Sequence, residues 1–179
     1  VAKSKTIDAE EIHAAIERLA KGISERYGKK PPLLLGIANG GIELARRLAD
    51  RLQTRAGTLD ISFHRDDIAR HPIPKEFAPT QLPADVNGAS VVLVDDVLFS
   101  GRTVKAALDE LFDHGRPTKV ELAILVDRGG RRLPFAPDYC GLTLTAVESE
   151  RVFVKLDPAD AKKDTVRIES APANRKSAI

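Results

Sequence analysis

Val91-Val92-Leu93-Val94-Asp95-Asp96-Val97-Leu98-Phe99-Ser100-Gly101-Arg102-Thr103 is the stretch on which the reading of this chain turns. Its four leading apolar residues predict a strand buried on both faces, the kind found in parallel sheets. Two adjacent carboxylates stand at the carboxyl end of that strand. A short turn with Ser100, Gly101 and Thr103 then opens a helix expected over Thr103 to His114. Backbone N–H groups and the positive dipole end at a helix start form an anion site. Gly101 lets the backbone approach a phosphate closely, and the two hydroxyls add donors. Acceptor-only carboxylates beside such a site would repel a polyphosphate, but they suit vicinal hydroxyls or a bridging cation. A phosphate with a neighbouring diol is a ribose 5-phosphate.

Outward from this stretch, buried strands alternate with amphipathic helices. Ile12, Ile16, Leu19, Ala20 and Ile23 recur at helical spacing over Asp8 to Arg26, with Asp8 and Glu11 as a capping box. Leu33 to Ile37 reads as a buried strand, turned by Ala38-Asn39-Gly40-Gly41 into a helix carrying Ile42, Ala45, Leu48, Ala49 and Leu52. Leu59 to Phe63 reads as the next strand and leads into His64-Arg65-Asp66-Asp67. From Ile68 to Val86 no period holds, and Pro72, Pro74, Pro79 and Pro83 punctuate a segment of the kind that is either a functional lid or a disordered excursion. Val120 to Val126 is another buried strand, broken by Asp127-Arg128-Gly129-Gly130. Short strands follow at Leu142–Thr145, Val152–Leu156 and Val166–Ile168. The pattern predicts one α/β domain over residues 1–179, a mainly parallel sheet flanked by helices. Ligands of such sheets sit beyond the carboxyl ends of the strands.

Composition narrows the class. Of 179 residues, 42% are hydrophobic and 30% charged, an ordinary globular mixture. No apolar run approaches the roughly 20 residues needed to span a bilayer, and no signal peptide is read at the start. Cys140 is the single cysteine, so no internal disulfide forms, and the cytoplasm is the expected compartment. The formal charge of +2 lacks the basic excess of a dedicated nucleic-acid binder. The doublets Lys29-Lys30, Arg46-Arg47 and Lys162-Lys163 read as solvated surface, and Arg131-Arg132 as either solvent or a ligand face. Cys140 reads as an ordinary packed thiol, and His64 and His71 as solvated loop histidines. Tyr27, Tyr139 and the phenylalanines form no stacking stripe for single-stranded RNA.

The stretch from Val91 to Thr103 resembles the phosphoribosyl-pyrophosphate (PRPP) motif of the type I phosphoribosyltransferases at every position. Val126-Asp127-Arg128-Gly129, Arg131, Leu133-Pro134, Asp138-Tyr139, Phe63 to Asp67 and Gly115-Arg116-Pro117 extend the likeness. They are similar to the bifunctional pyrimidine-operon regulators that are also uracil phosphoribosyltransferases. The resemblance implies a small hood built from the chain ends and a homodimer or higher oligomer. It implies Mg²⁺-dependent transfer of the phosphoribosyl group from PRPP to uracil, giving UMP and pyrophosphate. Asp95 and Asp96 would bind the ribose hydroxyls and, with Arg65, form the catalytic group. Val97, Leu98, Phe99, Ser100, Gly101, Arg102 and Thr103 would cradle the 5-phosphate. Asn39 and Gly40 would belong to the pyrophosphate loop, Asp66 and Asp67 would hold Mg²⁺, and Arg128 would border the base. The chain departs from the family in having Asn39-Gly40-Gly41 where Thr-Arg-Gly is common. It also has Ala136 and Leu142 where the regulatory members carry Arg and Lys. The alternatives are an RNA-binding regulator that senses UMP or PRPP with little catalysis, and a phosphoribosyltransferase for another base.

Overall fold

The computed structural model describes residues 5–64 and 78–170. Five strands form an all-parallel sheet: β2 (Leu33–Ile37), β3 (Ala56–Leu59), β4 (Ser90–Leu98), β5 (Lys119–Asp127) and β6 (Tyr139–Thr143), in the order β3-β2-β4-β5-β6. Helices α1 (Ala9–Tyr27) and α2 (Gly40–Leu52) cover one face and α3 (Arg102–His114) the other. The two-residue period of a strand explains why β4 and β5 read as unbroken apolar runs. Val92, Val94, Ala123 and Leu125 face α1 and α2, while Val91, Leu93, Leu122 and Ile124 face α3. A second sheet is antiparallel, with β1 (Lys5–Ile7), β8 (Thr165–Ser170) and β7 (Glu150–Lys155) in the order β1-β8-β7. It is the expected hood made from the two ends of the chain.

Local chemistry sets most boundaries. The Asp8 carboxylate accepts from the Glu11 N–H at 3.0 Å and starts α1 where the capping box predicts. β4 runs four residues beyond the expected end, because its ladder with β5 continues through Asp95, Val97 and Leu98. Asp95 and Asp96 therefore lie within the strand, held by its geometry. The strand expected over Leu59–Phe63 instead ends at Leu59. There Asp60 is buried and accepts from the Ser62 N–H at 2.9 Å, an Asx turn that competes with the ladder. β6 starts at Tyr139, earlier than expected, since Gly141 passes so close that a Cβ would lie 2.8 Å from Leu125 O.

Two expectations about side chains are corrected here. Arg47 is not solvated: its side chain is 8% exposed and engages Asp164, which is fully buried, on the segment before β8. Arg47 also donates to Asp157 O at 2.7 Å and to Glu43 at 2.7 Å, and Asp164 meets His13 at 3.2 Å. This network ties the hood to α1 and α2. Cys140 is exposed, because alternation along the edge strand β6 points it away from the core.

A buried charge left without its partner is far costlier than an apolar replacement of both. Asp164→Ala is expected to lose about 3–5 kcal/mol of unfolding free energy in a urea titration. The double variant Arg47→Met, Asp164→Leu should lose clearly less.

Candidate active site

Two helix starts and one strand end converge. At the start of α2, a Cβ on Gly41 would lie 2.0 Å from Val94 O, so the Asn39–Gly41 turn rests directly on β4. Gly40 is exposed, and a Cβ there would lie 2.6 Å from the Asp96 carboxylate. The Ala38–Asn39 peptide bond is cis. On the other side, Gly101 opens α3 with φ of +91°, a conformation that suits glycine. A Cβ at Gly101 would also meet Phe135 at 2.9 Å. Neither α2 nor α3 has a side-chain N-cap bond, in contrast to α1. Uncapped first turns present N–H groups and a positive dipole end to an anion. Here two of them flank one pair of carboxylates.

That pair is held at an electrostatic cost. Asp95 is 6% exposed and accepts from the Asp96 N–H at 3.0 Å. Burial, joined by the neighbouring Asp96 charge, pushes its carboxyl well above the ordinary value of 3.8, and burial pushes Asp96 up as well. A hydroxyl pair donating hydrogen bonds, or a cation, would relieve this cost.

Beyond Val97 the strand leads into a cavity of about 510 Å³ between the sheet and the hood. It is lined by Phe99, Arg128, Arg132, Glu150, Val152 and Phe153 among others. The Arg128 guanidinium stacks over the Phe99 ring at 4.1 Å, and donates to Glu150 O at 3.0 Å and Val147 O at 3.1 Å. Arg128 thus borders the cavity and also fastens the hood to the end of β5. Arg131 is half-buried, lines a smaller neighbouring cavity with Phe99, Arg128 and Arg132, and folds back onto the chain. It donates to Phe99 O and Phe135 O, each at 3.0 Å, and pairs with Asp127. Burial pushes the Asp127 carboxyl up, but Arg131 and the Gly129 N–H outweigh burial and hold it below its ordinary value. Arg131 therefore braces the turn that follows β4.

Of the expected site residues, the structure brings together Asn39, Gly40, Asp95, Asp96, Val97 and the turn from Leu98 to Thr103, with Arg128 across the cavity. Arg65, Asp66 and Asp67 lie outside the described residues, as does His71. So does the part of the expected lid over 68–77. His64 is half-buried against Glu110 and Asp113, where a solvated histidine was expected. Leu142 packs into the core, so no exposed cation is missing at that position, whereas Ala136 is exposed. Sequence reasoning missed the hood residues that line the cavity and the Gly40–Asp96 contact. Neither has a local signal, since both join segments far apart in the chain.

The sequence pattern of the phosphoribosyl transferase domain matches residues 5–157. This chain belongs to that family. Within it, the chain is 47% identical to the bifunctional protein PyrR of Streptomyces coelicolor, across 93% of this chain and 90% of that protein. It is 42% identical to the bifunctional protein PyrR of Roseiflexus sp., across 93% and 94%. The fold is shared with the hypoxanthine phosphoribosyltransferase of Trypanosoma cruzi, with a TM-score of 0.65 at 22% identity over 91% of this chain and 94% of that one. Among the described residues no helix is long and apolar enough to cross a membrane.

Removing the Asp95 charge trades binding for stability. A carboxyl with a raised folded-state pKa holds its proton more tightly when native. Stability therefore falls as pH rises from 3.8 through the raised value, and stays reduced above it. Asp95→Asn is expected to raise Tm at pH 7 by about 2–4 °C, equivalent to roughly 1 kcal/mol in a chain of this size, with the gain shrinking towards pH 3. Calorimetry at the two pH values checks this; a lower Tm at pH 7 would contradict the desolvation argument.

Proposed function

We propose that this phosphoribosyltransferase joins uracil to PRPP in the presence of Mg²⁺, giving UMP and pyrophosphate. The observation that carries the reading is the pair of uncapped helix starts flanking Asp95 and Asp96. The α3 turn from Leu98 to Thr103 receives the 5-phosphate, the carboxylates accept from the two ribose hydroxyls, and the Asn39–Gly41 turn offers N–H groups to the pyrophosphate. In the step itself a nitrogen of the base forms a bond to the anomeric carbon as the bond to pyrophosphate breaks, and the proton that nitrogen carried is released to water. Positive charge grows on the ribose ring, beside the two carboxylates, while negative charge leaves towards the helix start of α2. The cavity beside Phe99 and Arg128 is the place for the base.

The donor set around this site is oxygen only, from carboxylates and backbone, which suits a hard cation that keeps waters and shares phosphate oxygens. Asp96, half-buried at the strand end, and in the family reading Asp66 and Asp67, would hold Mg²⁺, which supplies charge neutralisation of the leaving group. Gly40 contributes no side chain to this, and the space a Cβ would take is filled by the Asp96 carboxylate. A homodimer or larger oligomer, in the cytoplasm, belongs to the same reading.

A second reading, an RNA-binding regulator of pyrimidine genes, draws on the description of the relatives as bifunctional. It draws also on the exposed hood face, where Arg151, Phe153 and Lys155 alternate along β7 and Arg167 pairs opposite Phe153. Salt-dependent binding of a pyrimidine leader RNA in the presence of UMP would support it, and binding indifferent to Arg151→Glu would sink it.

The first reading is tested by pyrophosphate release from PRPP with Mg²⁺ against uracil, orotate, hypoxanthine and guanine. Release with uracil is expected, falling about 100-fold or more in the Asp95→Asn, Asp96→Asn double variant. Release with another base alone would overturn the uracil assignment. Turnover equal to that of the double variant would overturn the enzyme.

A further inference from the structure

His64 stands at the end of the turn after β3, its backbone N–H donating to Ile61 O at 3.0 Å. Its Nε2 lies 3.2 Å from an oxygen of Glu110 and 3.2 Å from an oxygen of Asp113. These two acids are three residues apart on α3 and share one face of it. All three donor atoms lie within 4.8 Å of one another. Tetrahedral ligands at the usual zinc bond lengths are separated by about 3.3 Å, so the histidine-to-carboxylate spacings need almost no adjustment to close on an ion.

The surroundings of Glu110 follow the same logic. Its second oxygen accepts from Thr80 Oγ1 at 2.5 Å and meets His114 Nε2 at 3.0 Å. Outer partners of this kind fix the orientation of a ligating carboxylate. Both acids sit in the last turns of α3, where the helix dipole disfavours negative charge. Placing two of them around one imidazole asks for a cation of more than one unit of charge.

We propose that His64, Glu110 and Asp113 bind a divalent transition metal of the zinc class, beside the C-terminal turns of α3. One imidazole nitrogen and two carboxylate oxygens suit zinc, with water completing four-fold coordination; magnesium favours six oxygens. Glu110 is 14% exposed, His64 25% and Asp113 69%, so the site is open to solvent on one side. The ion joins residue 64, which immediately precedes Arg65-Asp66-Asp67 in the sequence, to the helix whose first turn receives the phosphate. It is a clip rather than a reagent, and it is independent of the base the enzyme uses.

The test is calorimetric titration of ZnCl₂ into the full chain after chelator treatment, with Tm as a second readout. Saturable binding of one ion per chain and a raised Tm are expected, unaffected by excess MgCl₂. His64→Gln and Asp113→Asn should each abolish it, and His114→Phe should weaken it about tenfold through loss of the outer partner. His13→Gln and Cys140→Ser should leave it unchanged, the exposed thiol being the competing zinc ligand. Circular dichroism keeps folding separate from binding. No saturable uptake by the folded native chain would overturn the proposal. So would uptake that survives His64→Gln in a folded variant, or uptake that vanishes with Cys140→Ser.

Discussion

No side chain larger than hydrogen fits where the first turn of α2 crosses β4. A Cβ on Gly41 would sit 2.0 Å from Val94 O, and one on Gly36 would sit 2.7 Å from Gly41 O. These two glycines let the helix start descend onto the carboxyl end of the sheet. Everything else in the site follows from that approach. The Asn39–Gly41 turn meets Asp96, and the positive end of α2 faces the same space as the positive end of α3. A single methyl group at position 41 would push the two apart, at a cost in the range of core overpacking, about 1–3 kcal/mol or more.

The carboxylate pair shows stability yielding to function. Strand geometry places Asp95 among buried neighbours and Asp96 beside it, so each pushes against its own ionisation. A chain selected only for stability would carry neutral residues there, because desolvated charges raise the free energy of the native state with nothing in return. A ligand that donates hydroxyl hydrogen bonds turns that cost into affinity. Not every buried charge marks a site, however. Glu121 is 2% exposed, yet it is satisfied by Tyr27 at 2.7 Å, Tyr139 at 2.8 Å and Lys119 at 2.6 Å at the opposite end of the sheet.

The hood depends on arginines that composition counts only as charge. Arg47 reaches from α2 to Asp164, and Arg128 reaches from the end of β5 to the carbonyls of Val147 and Glu150. These two anchors position β7 so that Val152 and Phe153 close one wall of the cavity. The cavity wall and hood attachment therefore share Arg128, and a change there alters both.

How much was legible follows from the range of each interaction. Capping by Asp8, the apolar runs of β2, β4 and β5, and the Ser100–Thr103 turn are written in contiguous residues, so sequence alone determined the parallel α/β architecture and the turn that follows β4. The end of β3 was misplaced because an Asx turn at Asp60 overrides alternation that still reads as a strand. The surroundings of Arg47, Arg131 and His64 were not legible because they are settled by segments distant in the chain: Asp164 for the first, the Phe99 carbonyl for the second and α3 for the third. Local pattern records what one segment can do. Only tertiary packing decides which charges lose water, and that desolvation sets the carboxylates of β4 apart from the paired arginines beside them, which act as a scaffold.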